Sequence, residues 1–233
     1  MQRKILIIKL GYSETLSPQI SKVPSLGDVL RTTPILPILK KKYPDSHITW
    51  LVSNEAEPLI SNNSFIDRVI IWDSFAPFQL MREKFDILIN LEKIHGICAI
   101  SDMIDAWVKY GFRFDAIRGD YHAYEKTMNF IDYLEEKQKK NKSGDFWQKV
   151  LAQMLDVEWE EQEYTIGYKP KTKEVYDIGL NHEVGSKWPT KSMPIEKWEM
   201  LEKKLLKDGY SISWQQGFNN LYEYMDWIHS NRI

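Results

Sequence analysis

The sequence predicts an α/β protein, with a doubly wound parallel-sheet domain followed by an incomplete second Rossmann-like domain. Four short apolar runs rich in branched side chains, at residues 4–10, 47–52, 68–72 and 85–91, have the composition of buried parallel strands. Helix-like segments lie between several of these runs. Such alternation of β and α elements is typical of a sheet covered on both faces.

The composition is that of a globular chain of 233 residues, with 43% hydrophobic and 27% charged side chains. Its 31 basic and 33 acidic residues leave a net charge of −2, so no overall positive field attracts nucleic acid, which we exclude as a partner. The lone cysteine, Cys98, lies in an apolar run and is interpreted as a small buried side chain of a cytoplasmic protein. No run approaches the about 18 apolar residues of a membrane-spanning helix.

The most informative segment is residues 25–34, which follows the first strand and its loop. Gly27 predicts a tight turn, and Asp28 follows it at the mouth of an amphipathic helix that continues to Leu39. Ligands collect at this corner of an open parallel sheet, so Asp28 is a candidate catalytic base. The alternative is that Asp28 caps a helix beginning at Val29, a contact worth about 1 kcal/mol.

The rest of the first domain contains further predicted helices. A basic run at 40–42 closes the first helix, where cations complement the helix dipole. Helical segments are predicted at 55–60 and around 95–110. Residues 123–140 are interpreted as a helix with a strongly charged, solvated end, and another helix follows at 146–155.

A polar stretch divides the chain. We place a first domain at 1–168, a linker at 169–174 and a partial second domain at 175–233. In the second domain, strands at 176–181 and 210–214 alternate with two helices.

The first helix of the second domain begins at Pro194 and has a stripe that is predicted to be buried, made of Trp198, Leu201 and Leu205. Two parallel strands and two helices do not cover both faces of a sheet. The second domain is therefore expected to be truncated at its C-terminus.

Four blocks of sequence carry a family resemblance: residues 4–11, 26–34, 43–52 and 185–191. In combination they resemble the heptosyltransferases of glycosyltransferase family 9, which build the inner core of lipopolysaccharide. The resemblance extends over essentially the whole chain. It implies the GT-B arrangement of two facing α/β domains, with the acceptor bound mainly by the first and an ADP-heptose-like nucleotide sugar by the second.

The resemblance also implies an inverting transfer without a further cofactor. Asp28 would take the proton of the acceptor hydroxyl, on a turn that includes Gly27 and Arg31. The acceptor would be a lipopolysaccharide core or another lipid-linked surface glycan. We therefore expect a cytoplasmic protein with peripheral contact to the inner face of the inner membrane, through side chains such as Arg31, Lys41 and Trp107.

The donor's diphosphate is expected at the loop 182–193 of the second domain. Lys191 matches the family's phosphate-binding lysine, and Gly185, Ser186 and Lys187 match neighbouring phosphate contacts. Without the resemblance, both lysines would be interpreted as ordinary surface charges. Gln216 and Gly217 follow the second strand where the nucleoside binds, although turn formation also explains them. The five histidines show no metal-ligand spacing, so no metal is expected.

Two departures from the family pattern leave two hypotheses open. Residues 12–24 form an extra loop between the first-strand glycine and the Gly-Asp turn, and the family's later Asp-Ser/Thr-Gly-type segment would lie after Ile233. The first hypothesis is an active glycosyltransferase. The second is a truncated non-catalytic remnant, or an acceptor-binding half that requires a partner chain. A nicotinamide-dependent oxidoreductase is excluded because no G-x-G-x-x-G follows the first strand.

Overall fold

The computed structural model describes residues 2–12, 25–128, 146–184 and 189–232 of the chain. It contains two compact units, Met1–Gly167 and Tyr168–Ile233.

The first unit is built on one six-stranded sheet with the strand order β3-β2-β1-β4-β5-β6. Its strands are β1 (Lys4–Ile8), β2 (His47–Val52), β3 (Arg68–Ile71), β4 (Lys84–Asn90), β5 (Asp105–Asp115) and β6 (Asp120–Ala123). Neighbours from β3 to β5 are parallel, and β6 pairs antiparallel with β5. The predicted α/β class with a parallel sheet is confirmed.

The centre of this sheet is the centre of the hydrophobic core. Ile5 of β1 pairs with Ile48 of β2 on one side and with Ile87 of β4 on the other. The four residues from Ile5 to Ile8 are fully buried, as expected for a parallel strand covered on both faces. Trp50 is also fully buried, and its indole Nε1 donates to the carbonyl oxygen of Lys9 at 3.0 Å.

The described residues of the first unit form five helices: α1 (Leu26–Leu30), α2 (Ile35–Lys42), α3 (Ala76–Leu80), α4 (His95–Met103) and α5 (Trp147–Met154). Short 3-10 turns occur at Glu57–Leu59 and Glu125–Thr127. The helix predicted from Asp28 to Leu39 is in fact two helices. Thr32 and Thr33 donate their hydroxyls to the carbonyls of Asp28 and Leu30, and Pro34 lacks an amide hydrogen. Between α1 and α2 the backbone amides therefore donate to the carbonyl three residues back, and the α-helical bonding to the fourth residue back is interrupted.

The helical prediction around 95–110 was wrong for its second half. Helix α4 ends at Met103, and the following residues form β5, the longest strand of the sheet. These residues form a strand because they pair with β4 in a parallel ladder that ends with Gly111 opposite Asn90. The two backbones approach closely there: Gly111 has a φ of +87°, and an added Cβ would lie 1.8 Å from the carbonyl oxygen of Asn90. The short helix α3 and the strand β6 were not predicted. Of the charged helix predicted at 123–140, residues 129–140 lie outside the described part.

Within residues 168–184 and 189–232, the second unit has a two-stranded parallel sheet and two helices. Its elements are β7 (Ile178–Leu180), α6 (Ile195–Lys207), β8 (Ile212–Trp214) and α7 (Leu221–His229), with a 3-10 turn at Pro189–Lys191 before α6. Residues 169–174, predicted as a linker, lie with this unit. The amide of Lys171 and the hydroxyl of Thr172 donate to Asp226 on α7, at 2.8 and 2.7 Å.

The buried stripe predicted for α6 was wrong. Leu201 is 37% exposed, and Trp198 and Leu205 are only partly buried. Among the described residues of the second unit, Leu180 and Ser230 are the buried ones. A sheet of two short strands presents too little surface for a 13-residue helix to bury a full face.

Candidate active site

The strand order reverses between β1 and β4, and this reversal locates the candidate site. In an open α/β sheet, ligands bind outside the carboxyl ends of the strands at such a switch point. At its carboxyl end, β1 is followed by Lys9, Leu10 and Gly11, and β4 is followed by Leu91 and Glu92. Helix α1, which carries Asp28, begins at Leu26, and the residue before it, Ser25, is hydrogen-bonded to Gly11.

Asp28 lies in the first turn of α1. The helix begins at Leu26, with Ser25 at the N-cap position, so the alternative that Asp28 caps a helix starting at Val29 was wrong. The Asp28 amide donates to the Ser25 carbonyl at 2.9 Å, and its side chain is 16% exposed. Gly27 lies inside the same helical turn, and no atom lies within 4 Å of where its Cβ would be. The tight glycine turn expected there is therefore an ordinary first turn of helix.

Arg31 is the direct partner of Asp28. Its Nε lies 3.0 Å from Oδ1 of Asp28, and its guanidinium lies 5.2 Å from the ring centre of Trp147 on α5. Trp147 is 3% exposed, and its Nε1 donates to the hydroxyl of Thr32 at 3.2 Å. An indole face attracts a cation, so α5 holds the arginine that contacts the carboxylate. The helix of Trp147 was predicted from the sequence, but this contact was not.

A buried ion pair lies at the switch point itself. Glu92 Oε1 accepts from the amides of Leu10 at 2.7 Å and Gly11 at 3.1 Å, and it lies 3.5 Å from Nζ of Lys9. The two side chains are 1% and 0% exposed. Many α/β proteins bind a ligand's phosphate through backbone amides at the turn after β1. Here the Glu92 carboxylate of the chain itself accepts the hydrogen bonds of those amides. The sequence signal for this pair is a charged residue shortly after each of two apolar strands, Lys9 after β1 and Glu92 after β4.

The residue that requires glycine in this region is Gly11, not Gly27. Its φ is +94°, and an added Cβ would lie 3.1 Å from Val29 Cγ2 and 3.2 Å from Ala56 Cβ. Its carbonyl accepts from the Ser25 amide at 2.5 Å. Of the extra loop predicted at 12–24, only Tyr12 lies within the described residues.

A cavity of about 270 Å³ opens beyond the carboxyl ends of β1, β3 and β4. It is lined by Tyr12, Trp72, Ile94, Gly96, Ile97 and Ile100. Burial raises the pKa of the Tyr12 hydroxyl, and the nearby carboxylates of Glu55 and Glu92 raise it further. The cavity thus combines apolar walls with a phenol that stays protonated, which suits a neutral polar ligand with an apolar face.

The predicted donor residues are only partly within the described structure. Lys191 ends the 3-10 turn before α6 and is exposed. Gln216 and Gly217 are exposed residues in the segment after β8, where it is Gln215 that makes the contacts, with its amide donating to Leu180 O at 2.9 Å. The remaining three, Gly185, Ser186 and Lys187, lie outside the described residues.

Among the residues that the structure describes, no group of three or more His, Cys, Asp and Glu side chains is arranged to hold a metal ion. No helix in the same ranges is both long and apolar enough to cross a bilayer.

Comparison with curated proteins yields a match to lipopolysaccharide heptosyltransferase 3 of Escherichia coli, 29% identical over 109 residues. The match covers 41% of this chain and 30% of that protein. The resemblance to the family 9 heptosyltransferases is confirmed. No protein-family profile matches the chain.

Solved structures of family 9 enzymes share the fold. A glycosyl transferase of family 9 from Veillonella parvula superposes with a TM-score of 0.62 at 18% identity, over 91% of this chain and 62% of that one. Heptosyltransferase WaaC of E. coli with ADP superposes with a TM-score of 0.57 at 17% identity, over 92% of this chain and 67% of that one. ADP-heptose heptosyltransferase II of E. coli superposes with a TM-score of 0.59 at 14% identity, over 91% of this chain and 63% of that one. This chain thus spans under two thirds of the Veillonella protein and under a third of the curated relative.

Proposed function

We propose that this chain is an inverting glycosyltransferase that transfers a heptose or a related sugar from an ADP-linked donor to a lipopolysaccharide core or another surface glycan. The observation that carries the proposal is the partly exposed Asp28 carboxylate, held by Arg31 at the carboxyl edge of the sheet. The similar protein WaaC has been solved with ADP and with ADP-2-deoxy-2-fluoro heptose, which supports the choice of donor.

In the proposed reaction, Asp28 acts as general base. The acceptor oxygen attacks the anomeric carbon and forms the new glycosidic bond, while the bond from that carbon to the diphosphate oxygen breaks and its electron pair leaves with the diphosphate. The hydroxyl proton passes to the Asp28 carboxylate. The ammonium group of Lys191 and the amides and side chains of 185–187 are proposed to stabilise the charge on the diphosphate.

The acceptor is proposed to bind in the cavity beside Tyr12 and Trp72. A sugar ring has apolar C–H faces and polar edges, and aromatic side chains with a phenolic hydroxyl match both. If the acceptor is lipid-linked, the transfer reaction takes place at the inner face of the inner membrane. Of the three side chains expected to contact lipid, Arg31 contacts Asp28 and Lys41 contacts Glu160, whereas Trp107 is 89% exposed. The membrane proposal therefore rests on Trp107.

A second candidate is an acceptor-binding protein without transferase activity. The observation that favours it is the small core of the second unit, where the buried side chains among the described residues are Leu180 and Ser230. Such a unit offers little rigid framework for a nucleotide sugar.

Nucleotide binding separates the two candidates. Under the first, ADP raises the melting temperature of the purified chain more than UDP or GDP does, since a ligand at 100 times its Kd stabilises a protein by about 2.7 kcal/mol. We expect Lys191→Ala to reduce this shift in melting temperature, because the lysine is proposed to contact the diphosphate. Lys203→Ala, at an exposed position of α6, is the control and should leave the shift unchanged. No shift with any nucleotide, in a chain that folds normally, would favour the second candidate.

The Asp28→Asn variant tests the chemistry. We expect it to lose transfer from ADP-heptose to a lipopolysaccharide core acceptor while keeping the ADP-dependent melting shift, because the amide cannot accept the proton. Asp45→Asn changes an exposed carboxylate elsewhere in the unit and serves as the control. Transfer that survives in Asp28→Asn would overturn the proposed function.

A further inference from the structure

Gly11 and Ser25 flank the extra segment and contact each other directly. The Ser25 amide donates to the Gly11 carbonyl at 2.5 Å, and we call this pair the neck. Three residues after Ser25 the chain reaches Asp28, whose own amide donates to the Ser25 carbonyl. The position of Asp28 therefore depends on how Gly11 is held.

Glu92 holds Gly11 from the opposite side. Its Oε1 accepts from both the Leu10 and the Gly11 amides, so one carboxylate oxygen fixes the last turn of backbone before the neck. Gly11 in turn packs closely on Val29 of α1, within the distance at which a methyl group would have to displace its neighbour. A displacement of Gly11 would thus be transmitted to α1 both through Ser25 and through Val29.

The environment of Glu92 requires this arrangement to stay intact. A buried carboxylate is tolerated only with hydrogen-bond donors and an opposite charge, and removing one partner of such a pair is strongly destabilising. Here the donors are the two amides and the opposite charge is that of Lys9, 3.5 Å away and fully buried. Lys9 Nζ also donates to the Leu91 carbonyl at 3.4 Å, which ties the ends of β1 and β4 together.

We propose that Glu92 is a positioning residue, which clamps the neck of the loop at Gly11 and so sets the place of the Asp28 carboxylate. The inference rests on the proposed function, because it assumes that Asp28 is the base. It explains how Asp28 is held at the edge of the sheet although an extra segment separates α1 from β1.

Glu92→Gln is the informative variant. Gln keeps an oxygen in place for the two amides, but this neutral oxygen is a weaker acceptor than a carboxylate and the negative charge that faces Lys9 is lost, so we expect Gly11 to shift. The expected result is a folded protein whose kcat for transfer falls by about 10- to 100-fold, the size of effect that a misplacement of about 1 Å produces. The KM for the donor and the ADP-dependent melting shift should stay unchanged, because neither involves the first unit in the proposed mechanism.

The double variant Lys9→Met with Glu92→Gln provides the rescue. It removes both buried charges and keeps the acceptor oxygen, so we expect kcat to recover most of the loss. The rescue also covers the case in which Glu92→Gln alone fails to fold. Asp86→Asn is the control, since Asp86 lies near the start of β4, the strand that leads to Glu92, and its carboxylate accepts a hydrogen bond from the Lys4 amide at 2.7 Å.

Amide hydrogen exchange gives a readout that needs no substrate. In Glu92→Gln the Ser25 amide should exchange faster, and in Asp86→Asn it should not. Unchanged kcat and unchanged Ser25 exchange in a folded Glu92→Gln would overturn the inference, as would an equal loss of kcat in Asp86→Asn. If Asp28→Asn keeps transfer, the proposed function fails; if it loses transfer while Glu92→Gln does not, the positioning role alone fails.

Discussion

Arg31 and Asp28 form an ion pair within one helical turn, with Nε of the arginine 3.0 Å from Oδ1 of the aspartate. The spacing of three residues in a helix places the two side chains on the same face. Trp147 lies against the guanidinium and limits the rotamers that Arg31 can adopt. The carboxylate that we propose as general base is therefore held by a cation that is itself held by the core.

Replacing Arg31 with alanine should reduce transfer far more than it reduces stability. The ion pair is partly exposed, so its loss costs only about 0–1 kcal/mol of folding free energy. The proposed base, however, loses the contact that orients it, and we expect kcat/KM to fall by about tenfold or more. Arg31→Lys should recover only part of this, because an ammonium cannot make the planar stacking contact with Trp147. Transfer assays and urea unfolding of both variants would measure the two effects. Equal activity in wild type and Arg31→Ala would contradict the prediction.

Two substitutions of Trp147 should distinguish the contribution of its packing to stability from that of its hydrogen bond. Trp147→Phe keeps an aromatic ring but loses the bond from Nε1 to Thr32, at a cost of about 1 kcal/mol. Trp147→Ala removes a buried side chain, which costs about 3–5 kcal/mol. Trp107→Ala, at an 89% exposed site, should stay within about 0.5 kcal/mol of wild type. Urea unfolding followed by far-UV circular dichroism would rank the three, and a different order would refute the packing described for α5.

Cys98 should be inert in the folded protein. Burial raises the pKa of its thiol to about 12, against a lowering contribution from the Asn90 amide, so the reactive thiolate is scarce at pH 8. We expect a disulfide reagent such as DTNB to titrate no thiol within minutes at pH 8, and one thiol per chain in 8 M urea. Rapid reaction of the native protein would show that the thiol is accessible.

Glu83 should make stability depend on pH in the acid range. Burial disfavours its charge, but hydrogen bonds from Arg68 and Gln79 outweigh this effect, and the pKa of Glu83 lies below its ordinary value of 4.5. Because the folded form holds the lower pKa, the stabilisation is fully present above the unfolded pKa and is lost as pH falls through the folded one.

The measurement for Glu83 compares wild type with Glu83→Gln. The variant should be less stable at pH 7 by about 0.5–1 kcal/mol, and the difference should shrink below about pH 4.5. Glu158→Gln, an exposed site with no ion-pair partner in the described part of the chain, provides the control. A difference that stays constant down to pH 3 would contradict the assignment.

Much of the fold could be predicted because local patterns identify elements. The branched apolar run that contains Ile5 to Ile8 can form little except a buried parallel strand, and the stripe through Leu36 and Leu39 is typical of a helix on a sheet. Strand β5 could not be predicted in this way. Its residues alternate only in part, and its state is decided by pairing with β4, which approaches the backbone closely at Gly111.

In the candidate site, too, some features could be predicted from the sequence and others could not. Asp28, Arg31 and the turn that carries them are contiguous, so the sequence by itself determined that a carboxylate and a guanidinium share one helical face after the first strand. Only the tertiary structure decided that Glu92 meets the Leu10 amide across 82 residues of chain, and that Trp147 meets Arg31. The physical reason is that strand order and helix packing bring these groups together, and both depend on burial summed over the whole sheet, which no local pattern contains.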